Sequence, residues 1–162
     1  LGVIATLQIL LFYNFTIVGR SAGKNPLYFH DSKFELEIVC LLLGISCMLL
    51  GLVMSTLITS QEQGMPTLVL LTMIQVIISG ALPIRLDWLI NIAGLINPAY
   101  WGMNAIGAST DLNTVTGLYG EKSHVRWNAL PNNYTFPVLI LIIFSMLFIA
   151  LAHFSLNRKE QN

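Results

Sequence analysis

The chain has 162 residues, of which 55% are hydrophobic and 10% charged, with eight Lys and Arg balanced by eight Asp and Glu. Against a usual charged share of about 25%, and with a mean hydropathy of +0.72, this composition excludes an ordinary water-soluble globular domain and marks a membrane chain. A net charge of zero also excludes a nucleic-acid footprint and a polybasic lipid-binding tail, so no nucleic-acid partner is expected.

The charges leave five long uncharged runs, at 1–19, 38–61, 63–84, 88–110 and 127–157. A helix needs roughly 20 apolar residues to cross about 30 Å of hydrocarbon. Four of the runs contain such a core, which predicts spans at about 1–18, 36–58, 65–82 and 137–157. The first is followed by Gly19-Arg20 and lacks the small-residue cleavage pattern of a signal peptide. No initiator Met is present and the chain opens inside an apolar run, so a larger protein is expected around it.

Before the second span, Ser32-Lys33-Phe34-Glu35 has the spacing of a capping box. Within it, Gly44, Cys47, Gly51, Ser55 and Thr59 recur at steps of three or four, a stripe of small residues expected to pack closely on another helix. Cys40 and Cys47 are expected to be buried thiols, not a disulfide or a metal pair. Ser60-Gln61-Glu62-Gln63 repeats the capping spacing, and Pro66 fits a first helical turn. The second and third spans therefore form a tight antiparallel hairpin.

The third span closes at Ser79-Gly80-Ala81-Leu82-Pro83, and Arg85 and Asp87 stop it from continuing through the bilayer. Leu86, Leu89, Ile90, Ala93 and Ile96 then recur at helical spacing with Asp87, Asn91 and Gly94 on the other side, which predicts a short amphipathic helix. Asn97-Pro98 supplies an N-cap and a proline at the first position of another short helix, carrying Tyr100, Trp101, Met103 and Ile106. Two half-length helices joined at a proline predict a re-entrant element over about 85–108, since irregular backbone at membrane depth needs protein or a water-filled cavity beside it. Trp88, Tyr100 and Trp101 are expected at headgroup level. Residues 109–136 are polar and predict an external loop, and Pro137 opens the last span. The predicted fold class is an all-α polytopic membrane protein with four transmembrane helices plus a re-entrant helical hairpin on the extracytoplasmic side.

No catalytic residue is expected. Gly19-Arg20-Ser21-Ala22-Gly23-Lys24-Asn25 superficially resembles a phosphate loop, but three residues separate its glycines where four are needed, and Asn stands where Ser or Thr holds magnesium. His30, His124 and His153 lack paired-ligand spacing, so no metal site is expected. Gln8, Asn14 and Gln75 are polar residues within spans, expected to bond to neighbouring helices. Gln75 stands out because it lies one turn before the Ser79-Gly80 break. Asn133-Tyr134-Thr135 matches a glycosylation sequon by pattern alone.

Three features together, the GLVMSTLITSQEQ turn, a span ending in ISGALPI and the amphipathic DWLINIAGLINPAYWGMNAI, resemble the C-terminal half of an ABC transporter permease. The likeness is to the type-2 transmembrane domain of the subfamily G kind, the white and pleiotropic-drug-resistance group. It covers essentially the whole chain as the last four of that family's six spans, and its specific parts are the SG-x-L end and NPAYWGMNA. The resemblance implies that Met73, Val76 and Gln75 line the substrate pathway, and that Ala81 and Leu82 form a gate beneath a re-entrant element carrying Asn97, Pro98, Tyr100 and Trp101. Ala81 is smaller than the residue often found at that gate. The last loop has no cysteine, unlike animal members, which points to a bacterial-type protein in the inner or plasma membrane as a multi-pass component.

The resemblance further implies an ATP-driven exporter working by alternating access, as a dimer with a second permease copy, either homodimer or pseudo-dimer. The chain carries no Walker motif, so it is not expected to be an enzyme by itself. ATP and magnesium would sit on partner ATP-binding cassette domains, with no cofactor in this chain. The expected surroundings are membrane lipid and a hydrophobic or lipid-like substrate. A non-transporting membrane scaffold or assembly subunit is the other reading that the packed helices allow. Family topology places 111–136 outside and 61–64 inside, whereas the positive-inside count favours the reverse, with Arg158 and Lys159 opposed by six Lys and Arg on the other side.

Overall fold

A computed structural model describes residues 7, 27–28, 32–58, 60–79, 92, 94–113 and 125–160. Its described helices are α1 (Ser32–Leu57), α2 (Gln61–Ile78), α3 (Pro98–Ser109) and α4 (Pro131–Glu160), with a 3-10 turn at Val125–Trp127 before α4. The predicted span over 1–18 and the amphipathic helix from Leu86 lie almost wholly outside the described residues, as do Gly80, Ala81 and Leu82.

Two stretches, Phe34–Leu57 and Pro131–Asn157, are long and apolar enough to cross a membrane. Only 17% and 22% of their most apolar windows are buried within the chain, so their apolar surface is not accounted for by an internal core. A shorter apolar helix covers Glu62–Ile78. At 1.5 Å per residue, the twelve residues of α3 reach about 18 Å, short of the hydrocarbon thickness.

α1 and α4 run parallel. Tyr134 near the start of α4 donates its hydroxyl to the carbonyl of Glu35 near the start of α1. Further along, Ser46 Oγ lies 2.8 Å from Ser145 Oγ, and beyond that Val53 clusters with Phe148 and Ala152. Each serine also bonds a carbonyl one turn back in its own helix, Leu42 for Ser46 and Leu141 for Ser145, so these buried hydroxyls are satisfied without water. The core lies where α3 wedges between the starts of α1 and α4, and contains Val39, Tyr100, Trp101, Ala105, Ala108, Tyr134 and Leu141.

Three observations bear on the sequence expectations. α4 begins at Pro131 and runs through Pro137, so the last six residues of the expected external loop are helical. Pro131 opens the helix, where its missing amide costs nothing, and Thr135 Oγ1 bonds the Pro131 carbonyl at 2.8 Å. Among the described residues, Gly51 and Ser55 of the small-residue stripe on α1 are not packed against another helix of this chain. A Cβ at Gly51 would meet nothing within 4 Å, and Ser55 is exposed, whereas Val39, Ser46, Val53 and Thr56 are buried. Tyr100 and Trp101 are 2% and 5% exposed and belong to the core.

Candidate functional site

α2 is an apolar helix with little packed around it among the described residues. Met65, Val69, Leu70, Met73, Val76 and Ile77 are all exposed, Met73 by 62% and Val76 by 55%. Thr72, Met73, Val76 and Ile77 line a shallow recess of about 300 Å³ on its surface. The threonine hydroxyl is turned back on its own helix, bonding the Val69 carbonyl at 2.9 Å, so the recess presents hydrocarbon and thioether. A surface of this kind attracts apolar groups and offers no charge for a polar ligand.

Where α2 ends, it meets the start of α3. Asn97 has the extended backbone of an N-cap, and its Oδ1 accepts from the amide of Ala99 at 3.0 Å, with Pro98 first in the helix. Its Nδ2 donates in the other direction, to the backbone carbonyl of Gln75 at 3.0 Å. That carbonyl also accepts from the amide of Ser79 at 2.9 Å. The sequence singles out both Gln75 and Asn97, and the structure brings them together, but through the main chain of Gln75.

α3 is seated on glycines and aromatics. A Cβ at Gly102 would lie 2.8 Å from a Leu43 methyl, and one at Gly107 would lie 2.6 Å from the ring of Trp127. These absences of side chain let α1 and the 3-10 turn approach the helix closely. Trp101 is held edge-on to Tyr100 and Phe136, with centroids 5.4 and 5.6 Å away, and donates its indole N–H to the Leu95 carbonyl. The Arg126 guanidinium donates to the Tyr100 hydroxyl, with its carbon 5.3 Å from the Tyr100 centroid and 6.0 Å from that of Trp101. A cation against aromatic faces in a partly dry setting is favourable.

Glu35 is the residue whose role sequence reasoning missed. It is 0% exposed. Its Oε1 accepts from the amides of Leu27 at 2.9 Å and Tyr28 at 2.7 Å, and its Oε2 accepts from Ser109 Oγ at 2.9 Å. The carboxylate thus joins the segment before α1 to the last residue of α3. Spacing offered it as half of a capping box, and nothing local signals a partner 74 residues away.

The base of the polar loop is clasped by amides. Asn113 Nδ2 donates to Asn128 Oδ1 at 2.6 Å, and Asn133 Nδ2 donates to the Asn128 carbonyl at 3.1 Å. The sequon asparagine is therefore engaged in the first turn of α4. His153 is exposed, with Nε2 3.3 Å from Asn157 Nδ2.

These elements form an all-helical segment, consistent with a membrane location, in which an exposed apolar helix is joined at its end to a short, internally packed helix. Across 161 residues the chain is 26% identical to the ABC transporter ATP-binding/permease protein Rv1747 of Mycobacterium tuberculosis, covering 97% of this chain and 18% of that protein. This similarity supports an ABC transporter membrane component. No family model matches the sequence, and no solved structure matches it.

Proposed function

We propose that this chain is part of the permease of an ATP-driven ABC exporter of the subfamily G kind, forming the translocation pathway by alternating access in a dimer with ATP-binding cassette domains. The observation that carries this reading is the similarity to an ATP-binding/permease protein along 97% of the chain, through every described helix. The bare apolar face of α2 supports it, because Met73 and Val76 on a helix without a covering neighbour suit a wall facing a second permease copy and a hydrophobic, lipid-like substrate. In this reading α3 belongs to a re-entrant element at the extracytoplasmic end, and Ala81 and Leu82 form the gate just past the end of α2. The chain hydrolyses nothing itself, and ATP with magnesium acts on the partner domains.

The gate is tested in the native protein reconstituted with its ATP-binding domains. A hydrophobic constriction seals by excluding water, so side-chain size there controls leak and opening together. Leu82→Ala is expected to loosen the seal and raise transport or uncoupled ATPase activity, and Ala81→Leu to slow export. Leu70→Ala, about three turns earlier in α2, should do neither. Indifference of both activities to the substitutions at 81 and 82 would place the gate elsewhere.

Topology is tested separately. A Ser123→Cys variant, in a background lacking Cys40 and Cys47, is expected to react with an impermeant maleimide on intact cells. Reaction only after lysis would reverse the orientation and uphold the charge count.

A further inference from the structure

The two ends of α3 are fastened differently. At its C-terminal end, Ser109 bonds a carboxylate that is itself fixed by two backbone amides, in a fully buried setting. At its N-terminal end, among the described residues, α3 is linked to α2 by the neutral hydrogen bond from Asn97 to the Gln75 carbonyl. Charge-assisted bonds of the first kind are roughly twice as strong as neutral ones.

The weaker link can also open without undoing either helix. When Nδ2 leaves, Oδ1 still caps α3 through Ala99, and the Gln75 carbonyl still accepts from Ser79. Most of the large apolar side chains of α2, among them Met65, Val69, Leu70, Met73 and Val76, are exposed. Asn104, on the same helix, is buried with its Nδ2 lacking a hydrogen-bond partner among the described residues, so the seat of α3 leaves a donor that a shifted seat could satisfy.

We propose that Asn97 is a tether between α2 and the body formed by α1, α3 and α4, limiting how far α2 can separate from that body. Asn97 is a positioning residue in this role and contacts no substrate. The proposal rests on the exporter reading only for what drives α2, namely ATP-dependent closure of the partner domains.

Spin labels at Leu70 on α2 and Met146 on α4, both exposed, report the separation of the two parts by double electron–electron resonance. The full protein is held in nanodiscs of phosphatidylcholine and phosphatidylglycerol, in a background lacking its native cysteines. Asn97→Ser keeps an N-cap acceptor and is too short to reach Gln75. Without nucleotide, it is expected to broaden the distance distribution at least twofold while circular dichroism and melting temperature stay as in the parent. Asn97→Asp, a good cap with no donor, should do the same. Ser and Asp variants with the parental distribution would overturn the tether, and so would broadening confined to Asn97→Ala, which points to the cap alone. With ATP and vanadate the parent distance should shift, and the Ser variant should move further. Equal movement overturns the tether, whereas a parent that does not respond at all counts against the exporter reading, the nucleotide-free comparison deciding the tether by itself.

Discussion

Glu35→Ala is expected to be the most damaging single substitution in the described part of the chain. It deletes an acceptor that serves two backbone amides and the Ser109 hydroxyl at a site with no exposure. Each buried donor left without a partner costs about 1–3 kcal/mol, so the loss should reach several kcal/mol, on the order of a whole domain's net stability. Fluorescence-detected size exclusion of the detergent-solubilised protein should show little monodisperse material. Glu35→Gln is the informative control. Its carbonyl oxygen can keep the two amides while its amino group donates to Ser109 Oγ, which turns from donor to acceptor, so the variant should retain most of the stability. A Gln variant as unstable as the Ala variant would mean that the charge, not the hydrogen-bond pattern, is what the site requires. An Ala variant that behaves like the parent would remove Glu35 as a structural junction.

Gly107→Leu ranks second. The first added carbon already falls 2.6 Å from the Trp127 ring, closer than nonbonded carbons approach, and an indole ring cannot fold aside as a methyl can. Overpacking of this sort costs typically about 1–3 kcal/mol. The cheaper response is for the 3-10 turn to lift away from α3, which also takes Arg126 off Tyr100 and Trp101. Trypsin should then cut after Arg126 several times faster than in the parent, and Trp127 emission should shift to the red. Gly102→Ala meets only the flexible end of Leu43 and should leave the cleavage rate unchanged. Equal cleavage of the Gly107→Leu variant and its parent would show that the turn does not depend on this contact.

What was legible in the sequence was local. Asn97-Pro98 announces a cap because the bond involved spans two residues, and the structure has it. Apolar length alone identifies the bodies of α1 and α4. Their ends are harder, because Pro137 reads as a start while the helix passes through it from Pro131. α2 begins at Gln61 with Ser60 at the N-cap position, as the capping spacing predicts, although Ser60 makes no side-chain cap bond. The small-residue stripe does not mark the face on which α1 packs against α4. Small residues permit close approach in lipid but do not compel it, and here Val39 and Val53 with the Ser46–Ser145 pair provide the contact instead. The Glu35 junction and the seat of Trp127 on Gly107 depend on residues brought together by topology, so no window along the chain contains them. The pathway residues Met73 and Val76 come from resemblance, and the exposure of α2 is the structural fact that bears on them.

The parallel pairing of α1 and α4 also sets a timetable for synthesis. The hydroxyl of Ser145 reaches Ser46, and that of Tyr134 reaches the Glu35 carbonyl, each across 99 residues of chain. At 5–20 residues per second, a ribosome takes about 5–20 s to cover that distance. For most of this interval α1 has been synthesised and its partner residues on α4 have not. The nascent chain therefore passes through a stage in which Ser46 has only its own helix to bond to and the carboxylate of Glu35 awaits Ser109. Insertion machinery that shields the start of α1 for those seconds would protect the molecule at its most exposed moment.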